Sequence, residues 1–596
     1  MTVLELREFY TERQQHLRAR LAAAGRSRTL SGLVLIAAAV AIGGITILSL
    51  REGRSPFWAI APLPVAIGAL HLRTRSTARE DRDSRLADFY ARGSARLAGT
   101  WHGTGPSGAG FEDPCHPYAS DLNILGASSL FQLLCTTRTA IGQRGLAAYL
   151  LSPPSLAESV ARREAVCELA PQTQLREQIA VLGNFAFSES TWESFAQWLD
   201  SEVMEHRNRI RIAAWALLAV LLVFLVLGIA LLLPWSVVLP SLCAVLLLRG
   251  AIGLFCRSQV QEKLAVLRSV AAEISVLREG LGLLALQSFQ SAKLQALQQQ
   301  VTHSVASLGR LERLLRMLYE RDKDWFYGPS LFLLFATQLC LEIEVWRDEH
   351  RAELRVWLDA WAEFEALHAL ANYAFENPDH AAADLVPEEE LCFEASAIGH
   401  PLLARDVCVR NDVQLNRGTR FHLVSGSNMS GKSTLLRAIG LNLVLARSGA
   451  PVCARTLRMS ALSVATSLSA SDSLAEGRSR FRAEIEKLSQ ILAATTQRPP
   501  VLFLIDEIFA GTNSKDRRIA AEAVVRTLIE RGAIGALSTH DLALTELADA
   551  PELHGANLHM GSAGNGDPME FDYILKSGIT NESNALEIAR LAGVPV

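Results

Sequence analysis

The segment SGSNMSGKSTLLRAIG, residues 425–440, has the residue types and spacing of a phosphate-binding loop. It satisfies the pattern G-x-x-x-x-G-K-[ST] and follows the apolar stretch FHLV, which predicts a β-strand. Glycines let backbone N–H groups approach phosphates closely. We predict that Lys432 reaches the β and γ phosphates of ATP and that the Ser433 hydroxyl ligates Mg2+. The predicted nucleotide contacts are Gly426, Ser427, Asn428, Met429, Ser430, Gly431, Lys432, Ser433 and Thr434.

A second apolar stretch, VLFLIDE, ends in Asp506 and Glu507. It predicts a buried strand, and α/β sheets bind ligands at the carboxyl ends of their strands. We expect Asp506 to hold Mg2+ together with Ser433, and Glu507 to act as the base that polarises the attacking water. His540 ends a third stretch of this kind, AIGALSTH, and is predicted to sense the γ phosphate and assist catalysis.

Longer segments around these residues closely resemble the ATPase domain of the MutS family of DNA mismatch repair proteins. They are GHPLLARDVCVRNDVQLNRGTRFHLVSGSNMSGKSTLLRAIG, SDSLAEGRSRFRAEIEKLSQIL, LFLIDEIFAGTNSKDR and STHDLALTELA. Upstream, HPYASDLNILGASSLFQLLCTTRTAIGQRGLAAYLL is similar to the start of the family's helical core. The resemblance covers roughly residues 112–180 and 385–596, and the helices between them more loosely.

The resemblance implies a composite ATP site, because in the family two ATPase domains pair head to tail. Ser479, in the segment SLAEGRS, would then contact the partner's ATP, and the protein would be a homodimer. DNA is a further partner that the family implies. However, mismatch-recognising members carry α/β domains ahead of the core, whereas this sequence has a polar helix and a membrane hairpin there. Mismatch recognition itself is therefore not expected.

Apolar runs indicate a membrane protein. They are Leu33–Leu50, Phe57–Leu72, Ile212–Leu233 and Trp235–Phe255. A helix of about 20 apolar residues crosses the hydrocarbon core of a bilayer. We predict two transmembrane hairpins, which turn at REGRSP and at Pro234, and the alternative is a pair of buried helical hairpins. Arg249 in the fourth run would have to snorkel or face a partner helix.

The arginines around the first hairpin indicate its orientation. Those before it and after it are Arg13, Arg18, Arg20, Arg26, Arg28, Arg73, Arg75, Arg79, Arg82 and Arg85, whereas its turn carries Arg51 and Arg54. Basic residues favour the cytoplasmic side. We therefore predict a multi-pass protein of the cytoplasmic membrane, with both termini and the ATPase domain in the cytoplasm.

Together these patterns predict a multi-domain chain: an all-α helical core and lever region with two transmembrane hairpins, followed by an α/β P-loop NTPase domain of the ABC/MutS type. The predicted parts are an N-terminal cytoplasmic helix (1–30), hairpin 1 (31–73), the first part of the helical core (93–209), hairpin 2 (210–256), the lever arms (257–380) and the ATPase domain (385–596).

Composition narrows the function classes. The 58 basic and 62 acidic residues create no general attraction to nucleic acid, so DNA binding would need a local basic patch. The nine cysteines form no C-x-x-C pair and no spacing suited to zinc, which favours a reduced compartment with free thiols.

These observations predict a membrane-anchored ATPase of the MutS family, in which ATP binding and hydrolysis rearrange a dimer and its helical arms, which would clamp DNA or move a membrane partner. An ABC-type membrane ATPase acting on a membrane partner or substrate is one alternative, although the sequence lacks LSGGQ. A scaffold that binds ATP only to dimerise is another, and intact Lys432, Asp506 and Glu507 argue against it.

Overall fold

The computed structural model describes residues 1–53, 56–183, 197–201, 207–321, 334–427, 429–468, 480–509, 513–561 and 571–579. Its helices are α1 (Val3–Arg51), α2 (Leu63–Ala98), α3 (Leu130–Leu134), α4 (Ala140–Leu151), α5 (Leu156–Leu169), α6 (Thr173–Ala180), α7 (Arg207–Ile229), α8 (Trp235–Leu286), α9 (Ala292–Val301), α10 (Ser304–Arg321), α11 (Phe335–Glu376), α12 (Lys432–Ser448), α13 (Arg480–Ala494) and α14 (Ser514–Glu530). Its strands are β1 (Asp384–Val386), β2 (Phe393–Ile398), β3 (Asn411–Leu415), β4 (Phe421–Ser425), β5 (Thr456–Ser460), β6 (Ser463–Ser467), β7 (Val501–Asp506), β8 (Ile534–Thr539), β9 (Gly555–His559) and β10 (Lys576–Ser577).

The chain forms two compact units. The first comprises Met1–Thr136, Leu146–Val181 and Ala366–Val596, and the second comprises Thr137–Gly145 and Leu182–Glu365. The first unit therefore contains helices α1 and α2 together with every described strand. The second contains α7 to α10 and most of α11.

Helix α1 runs without interruption from Val3 to Arg51. Thr2 begins it with a capping box, because the Thr2 hydroxyl accepts from the Glu5 N–H and the Glu5 carboxylate accepts from the Thr2 N–H. The polar and apolar parts that the sequence separates near residue 30 are thus one helix. Side-chain polarity changes at that point, but the backbone hydrogen bonds of a helix do not depend on it.

Helix α2 packs antiparallel against α1. Beyond the apolar segments next to the turn, polar contacts join the two helices. They include Arg20 with Asp83 at 2.9 Å and Arg28 with Glu80 at 3.0 Å. Nearer the N-terminus, Leu6, Tyr10, Phe89 and other buried side chains form an apolar cluster between the helices. The first hairpin therefore has an apolar base and a charged middle section.

In the second unit, α7 and α8 form the second hairpin, and Pro234 is the residue that precedes α8. Arg249 of α8 is 3% exposed and donates from Nη1 to the carbonyl oxygen of Ala214 at 2.7 Å. Of the two arrangements expected for this arginine, the structure has the one in which it faces a partner helix. A carbonyl oxygen in an apolar place is a suitable acceptor for a guanidinium.

Four described helices are long and apolar enough to cross a membrane: Val3–Arg51, Phe57–Ala98, Asn208–Ile229 and Trp235–Arg268. In each of them, between 6 and 11% of the residues in the apolar window are buried inside the protein. So much exposed apolar surface is unusual for a soluble protein and is consistent with association with a membrane. This finding disfavours the alternative of two hairpins buried within the fold.

The described strands form two sheets in the first unit. The larger has the order β10-β9-β4-β8-β7-β6, and β9, β4, β8, β7 and β6 are mutually parallel neighbours. The prediction that FHLVSG, VLFLIDE and AIGALSTH are buried parallel strands is therefore confirmed. Their carboxyl ends lie side by side, since Ser425 pairs with Thr539 and Asp506 with Ser538. The smaller sheet has the order β1-β5-β2-β3 and mixes parallel and antiparallel pairs.

The last turn of α11 joins the first hairpin to the rest of the first unit. The Glu376 carboxylate accepts from Nε and Nη2 of Arg96 at 2.6 and 2.7 Å, and from the Tyr10 hydroxyl at 3.2 Å. The side chains of Arg96 and Glu376 are 10% and 2% exposed. Burial raises the pKa of Tyr10, and the adjacent Glu376 raises it further, so the hydroxyl keeps its proton and donates it to this bond.

Replacing Glu376 by alanine is expected to lower the free energy of unfolding by about 3 to 5 kcal/mol, because Arg96 would keep its charge in a buried place without its partner. The measurement is thermal unfolding in detergent micelles, followed by tryptophan fluorescence. Glu522→Ala is the control, since Glu522 pairs with Arg526 at the surface and such pairs contribute about 0 to 1 kcal/mol. Equal unfolding temperatures of the two variants would contradict the prediction.

Candidate functional site

The loop between β4 and α12 turns tightly enough to require glycine at both ends. Gly426 has a φ of 148° and Gly431 a φ of 100°, values that residues with a Cβ rarely adopt. A Cβ on Gly426 would also lie 2.3 Å from the carbonyl oxygen of Met560. Helix α12 begins directly after Gly431, so the N–H groups of its first turn and the positive end of its dipole point toward the loop. Asn428 lies outside the described residues.

The Lys432 side chain lies inside this loop. It is 5% exposed, and its ammonium donates to the carbonyl oxygens of Gly426 and Ser427, both at 2.8 Å. Burial lowers the pKa of Lys432, against the opposing influence of Asp506 and Glu507, whose charges raise it. The ammonium is thus held by the backbone where a phosphate oxygen, as a charged acceptor, would compete for it.

Ser433 and Asp506 come into direct contact across two elements. The Ser433 hydroxyl donates to one carboxylate oxygen of Asp506 at 2.5 Å, and the Ser538 hydroxyl donates to the other oxygen. Asp506 ends β7 and Ser538 is its neighbour on β8, so the parallel register fixes this contact. A hydroxyl and a carboxylate oxygen are ligands that Mg2+ takes, and the pair therefore fits this ion.

Glu507 and His540 also meet, as their positions at neighbouring strand ends predict. His540 Nδ1 lies 3.2 Å from Glu507 Oε1. The Glu507 N–H donates to the carbonyl oxygen of Ser538 at 3.1 Å, and its φ of 54° is left-handed. A non-glycine residue with this φ lies outside the extended conformation of a strand, so the regular strand ends at Asp506.

A cavity of about 410 Å³ opens beside the start of α12. Gly431 and Thr434 line it on one side, and apolar or aromatic side chains line the others. The other lining residues that matter for its chemistry are His400, Val407, Val409 and Tyr573. Burial lowers the pKa of His400 to about 4, helped by the charge of Arg437, so its imidazole is neutral at physiological pH.

Most of the predicted site residues lie close together in the structure, and two lie outside the described residues. The structure brings together the loop glycines, Lys432, Ser433 and the strand-end residues Asp506, Glu507 and His540. Ser479 lies outside the described residues. Sequence reasoning missed Val407, Val409 and Tyr573, because they reach the cavity from segments before β3 and before β10 that carry no motif of their own.

Cys408, between the two valines of the cavity wall, has an unusual environment. It is half-buried, its sulfur accepts from the His400 N–H at 3.3 Å, and the buried Cys453 lies next to it. A hydrogen bond from the Cys453 thiol holds the pKa of Cys408 below its usual value. The same bond raises the pKa of Cys453, so Cys408 is the member of the pair that ionises first.

Residues 422–596 match the family model of MutS domain V. The match begins within β4 and includes Lys432, Ser433, Asp506, Glu507 and His540. Domain V is the ATPase domain of that family. Of the cavity wall, Tyr573 lies within the match, whereas His400, Val407 and Val409 lie ahead of it.

The lowered pKa predicts that Cys408 is alkylated at neutral pH faster than an ordinary thiol, since thiolate is the reacting form. The measurement is the rate of iodoacetamide addition to Cys408 as a function of pH, by mass spectrometry. Cys453→Ala removes the donor and should shift the profile of Cys408 to higher pH, whereas Cys392→Ala should leave it unchanged. If the alkylation rate of Cys408 depends on pH in the same way with and without Cys453→Ala, the hydrogen bond between the two thiols is contradicted.

Proposed function

We infer that this chain is a MutS-family protein, because residues 422–596 match MutS domain V, and we propose that it is a membrane-anchored ATPase that binds ATP with Mg2+ and hydrolyses it to ADP and phosphate. The observation that carries the proposal is the contact between Ser433 and Asp506, 2.5 Å apart at the mouth of the loop that holds Lys432. Two oxygen ligands next to a buried ammonium suit a metal-bound polyphosphate.

The loop residues bind the phosphates. Backbone N–H groups between Gly426 and Ser433 donate to phosphate oxygens, and the dipole of α12 adds a favourable potential. Lys432 exchanges its two bonds to loop carbonyls for bonds to the β and γ phosphates, where both partners are charged. Mg2+, when bound by Ser433 and Asp506, offsets negative charge on the phosphate oxygens.

Hydrolysis needs a base, and Glu507 is the proposed one. A water oxygen attacks the γ phosphorus while the bond to the bridging oxygen of ADP breaks, and the Glu507 carboxylate takes the proton that the water loses. His540, 3.2 Å from Glu507, holds this carboxylate in place and senses the γ phosphate. Lys432 stabilises the negative charge on the phosphates during the transfer.

The cavity beside α12 is the proposed site of the adenine base. It adjoins Gly431 and Thr434, so a ligand with its phosphates in the loop extends into it. Val407 and Val409 provide apolar contacts, and the Tyr573 ring offers a surface on which a base can stack. The neutral His400 imidazole avoids placing a charge against the base.

The proposal includes a homodimer in which Ser479 contacts the partner's ATP, and this part is supported by the family resemblance. ATP binding and hydrolysis would then rearrange the two subunits and their helical arms. DNA binding is likewise supported by the family resemblance alone. The net charge of the chain is −4, which gives no general attraction to phosphates.

The four exposed apolar helices support the membrane anchor, since between 6 and 11% of the residues in their apolar windows are buried inside the protein. We place both termini and the ATPase domain in the cytoplasm because arginines flank the first hairpin on that side. The turn between α1 and α2 then lies outside the cell.

The hydrolysis proposal is tested with two variants. Glu507→Gln should lower kcat about 10²- to 10⁴-fold with an unchanged Kd for ATP, because the base is lost but the phosphate contacts remain. Lys432→Ala should raise the Kd for ATP about 10-fold or more, because a charged hydrogen bond is lost. Glu530→Gln, at the exposed end of α14, is the control. Equal turnover of Glu507→Gln and the parent would exclude Glu507 as the base.

The topology is tested by labelling with a membrane-impermeant maleimide in a Cys243→Ser background. Glu52→Cys, in the turn after α1, should be labelled in intact cells. The exposed native Cys115 and Cys167 should react only after permeabilisation, because they are predicted to face the cytoplasm. If Cys115 or Cys167 is labelled in intact cells, the orientation is the opposite of the proposed one.

A further inference from the structure

The backbone after β7 is held in an unfavourable conformation. Glu507 has a φ of 54° and Phe509 a φ of 53°, and neither is a glycine. Each left-handed residue of this kind costs about 1 to 2 kcal/mol relative to the usual regions. Such a conformation persists only where the surrounding contacts hold it, so the contacts of Phe509 bear on the position of Glu507.

Two side chains, one buried and one partly buried, hold the backbone of Phe509. The Glu484 carboxylate, which is 6% exposed, accepts from the Phe509 N–H. Arg517, with 13% of its side chain exposed, donates from Nε to the Phe509 carbonyl oxygen at 3.0 Å. Phe509 is therefore held from both sides of its α-carbon, two residues after Glu507.

The helix that carries Glu484 is itself anchored. Lys487, three residues along α13, pairs with Asp121 at 2.5 Å, and the Asp121 side chain is 2% exposed. Asp121 also accepts from the Leu468 N–H at 2.9 Å and from the Thr466 hydroxyl at 3.0 Å at the end of β6. Because these contacts hold α13 in place, the Glu484 carboxylate has a defined position from which it accepts the Phe509 N–H.

We propose that Glu484 is a positioning residue for Glu507. By holding the Phe509 N–H, it maintains the left-handed turn and thereby directs the Glu507 carboxylate toward the attacking water and His540. This inference rests on the proposed function, since it assigns Glu484 a role through the base. Glu484 touches neither ATP nor the reacting atoms.

Glu484→Ala should lower kcat about 10- to 100-fold, because a base displaced by about 1 Å loses rate on this scale. The Kd for ATP should stay close to that of the parent, because the phosphate contacts lie elsewhere, whereas the unfolding temperature should fall modestly because the Phe509 N–H loses its acceptor. Glu484→Gln keeps an acceptor oxygen and should recover most of the rate. Glu486→Gln, at an exposed position of the same helix, is the control and should match the parent.

The decisive measurement combines Glu484→Ala with Glu507→Gln. If Glu484 acts through Glu507, adding Glu484→Ala to Glu507→Gln should cause no further loss of kcat. If Glu484→Ala lowers kcat in the Glu507→Gln background as much as it does in the parent, the inference is wrong. It is also wrong if Glu484→Ala raises the Kd for ATP by as much as it lowers kcat. If the single Glu507→Gln variant turns over like the parent, or the parent has no turnover, the proposed function fails first, and the role of Glu484 fails with it.

Discussion

The buried pair of Glu376 and Arg96 is the contact on which the first unit depends. One carboxylate, 2% exposed, receives two N–H bonds from α2 and a hydroxyl bond from α1, although these partners lie 280 and 366 residues away in the chain. On the other side of the same turn, Arg405 donates to the backbone oxygen of Glu376 and to the Asn377 side chain. A charge at this depth requires a partner, so the first hairpin, the end of α11 and the segment between β2 and β3 have to assemble together.

This assembly links the first hairpin to the cavity beside α12. The segment between β2 and β3 contributes Val407 and Val409 to the cavity wall and Arg405 to the contact with α11. The same segment therefore contacts the cavity on one side and the end of α11 on the other. Hydrogen bonds of Arg405 and Glu376 connect it to the first hairpin.

Local sequence patterns predicted the parts of the fold whose signals lie within one element. The length of the apolar runs predicted the long apolar helices. Short apolar runs that end in polar residues predicted β4, β7 and β8, and with them the edge of the sheet near which Ser433, Asp506 and Glu507 lie. The sequence did not predict the sheet of β1, β5, β2 and β3, the wall formed by Val407 and Tyr573, or the pair of Glu376 and Arg96. Those contacts join segments distant in the chain, and no spacing rule encodes them. The left-handed φ of Glu507 was equally unpredicted, because glutamate rarely adopts this conformation and no glycine marks the position.

Helix α1 is long enough to contain both an apolar segment and a polar one. Its 49 residues extend about 73 Å, whereas a bilayer core is about 30 Å thick. The remainder is a stalk paired with α2 through Arg20 with Asp83 and Arg28 with Glu80, whose polar contacts are compatible with water. Because α1 has no break at the boundary between the two parts, its apolar segment and Tyr10, which bonds to Glu376, belong to one continuous helix. A flexible linker would have left the apolar segment free to move relative to Tyr10, whereas a continuous helix fixes the position of one relative to the other.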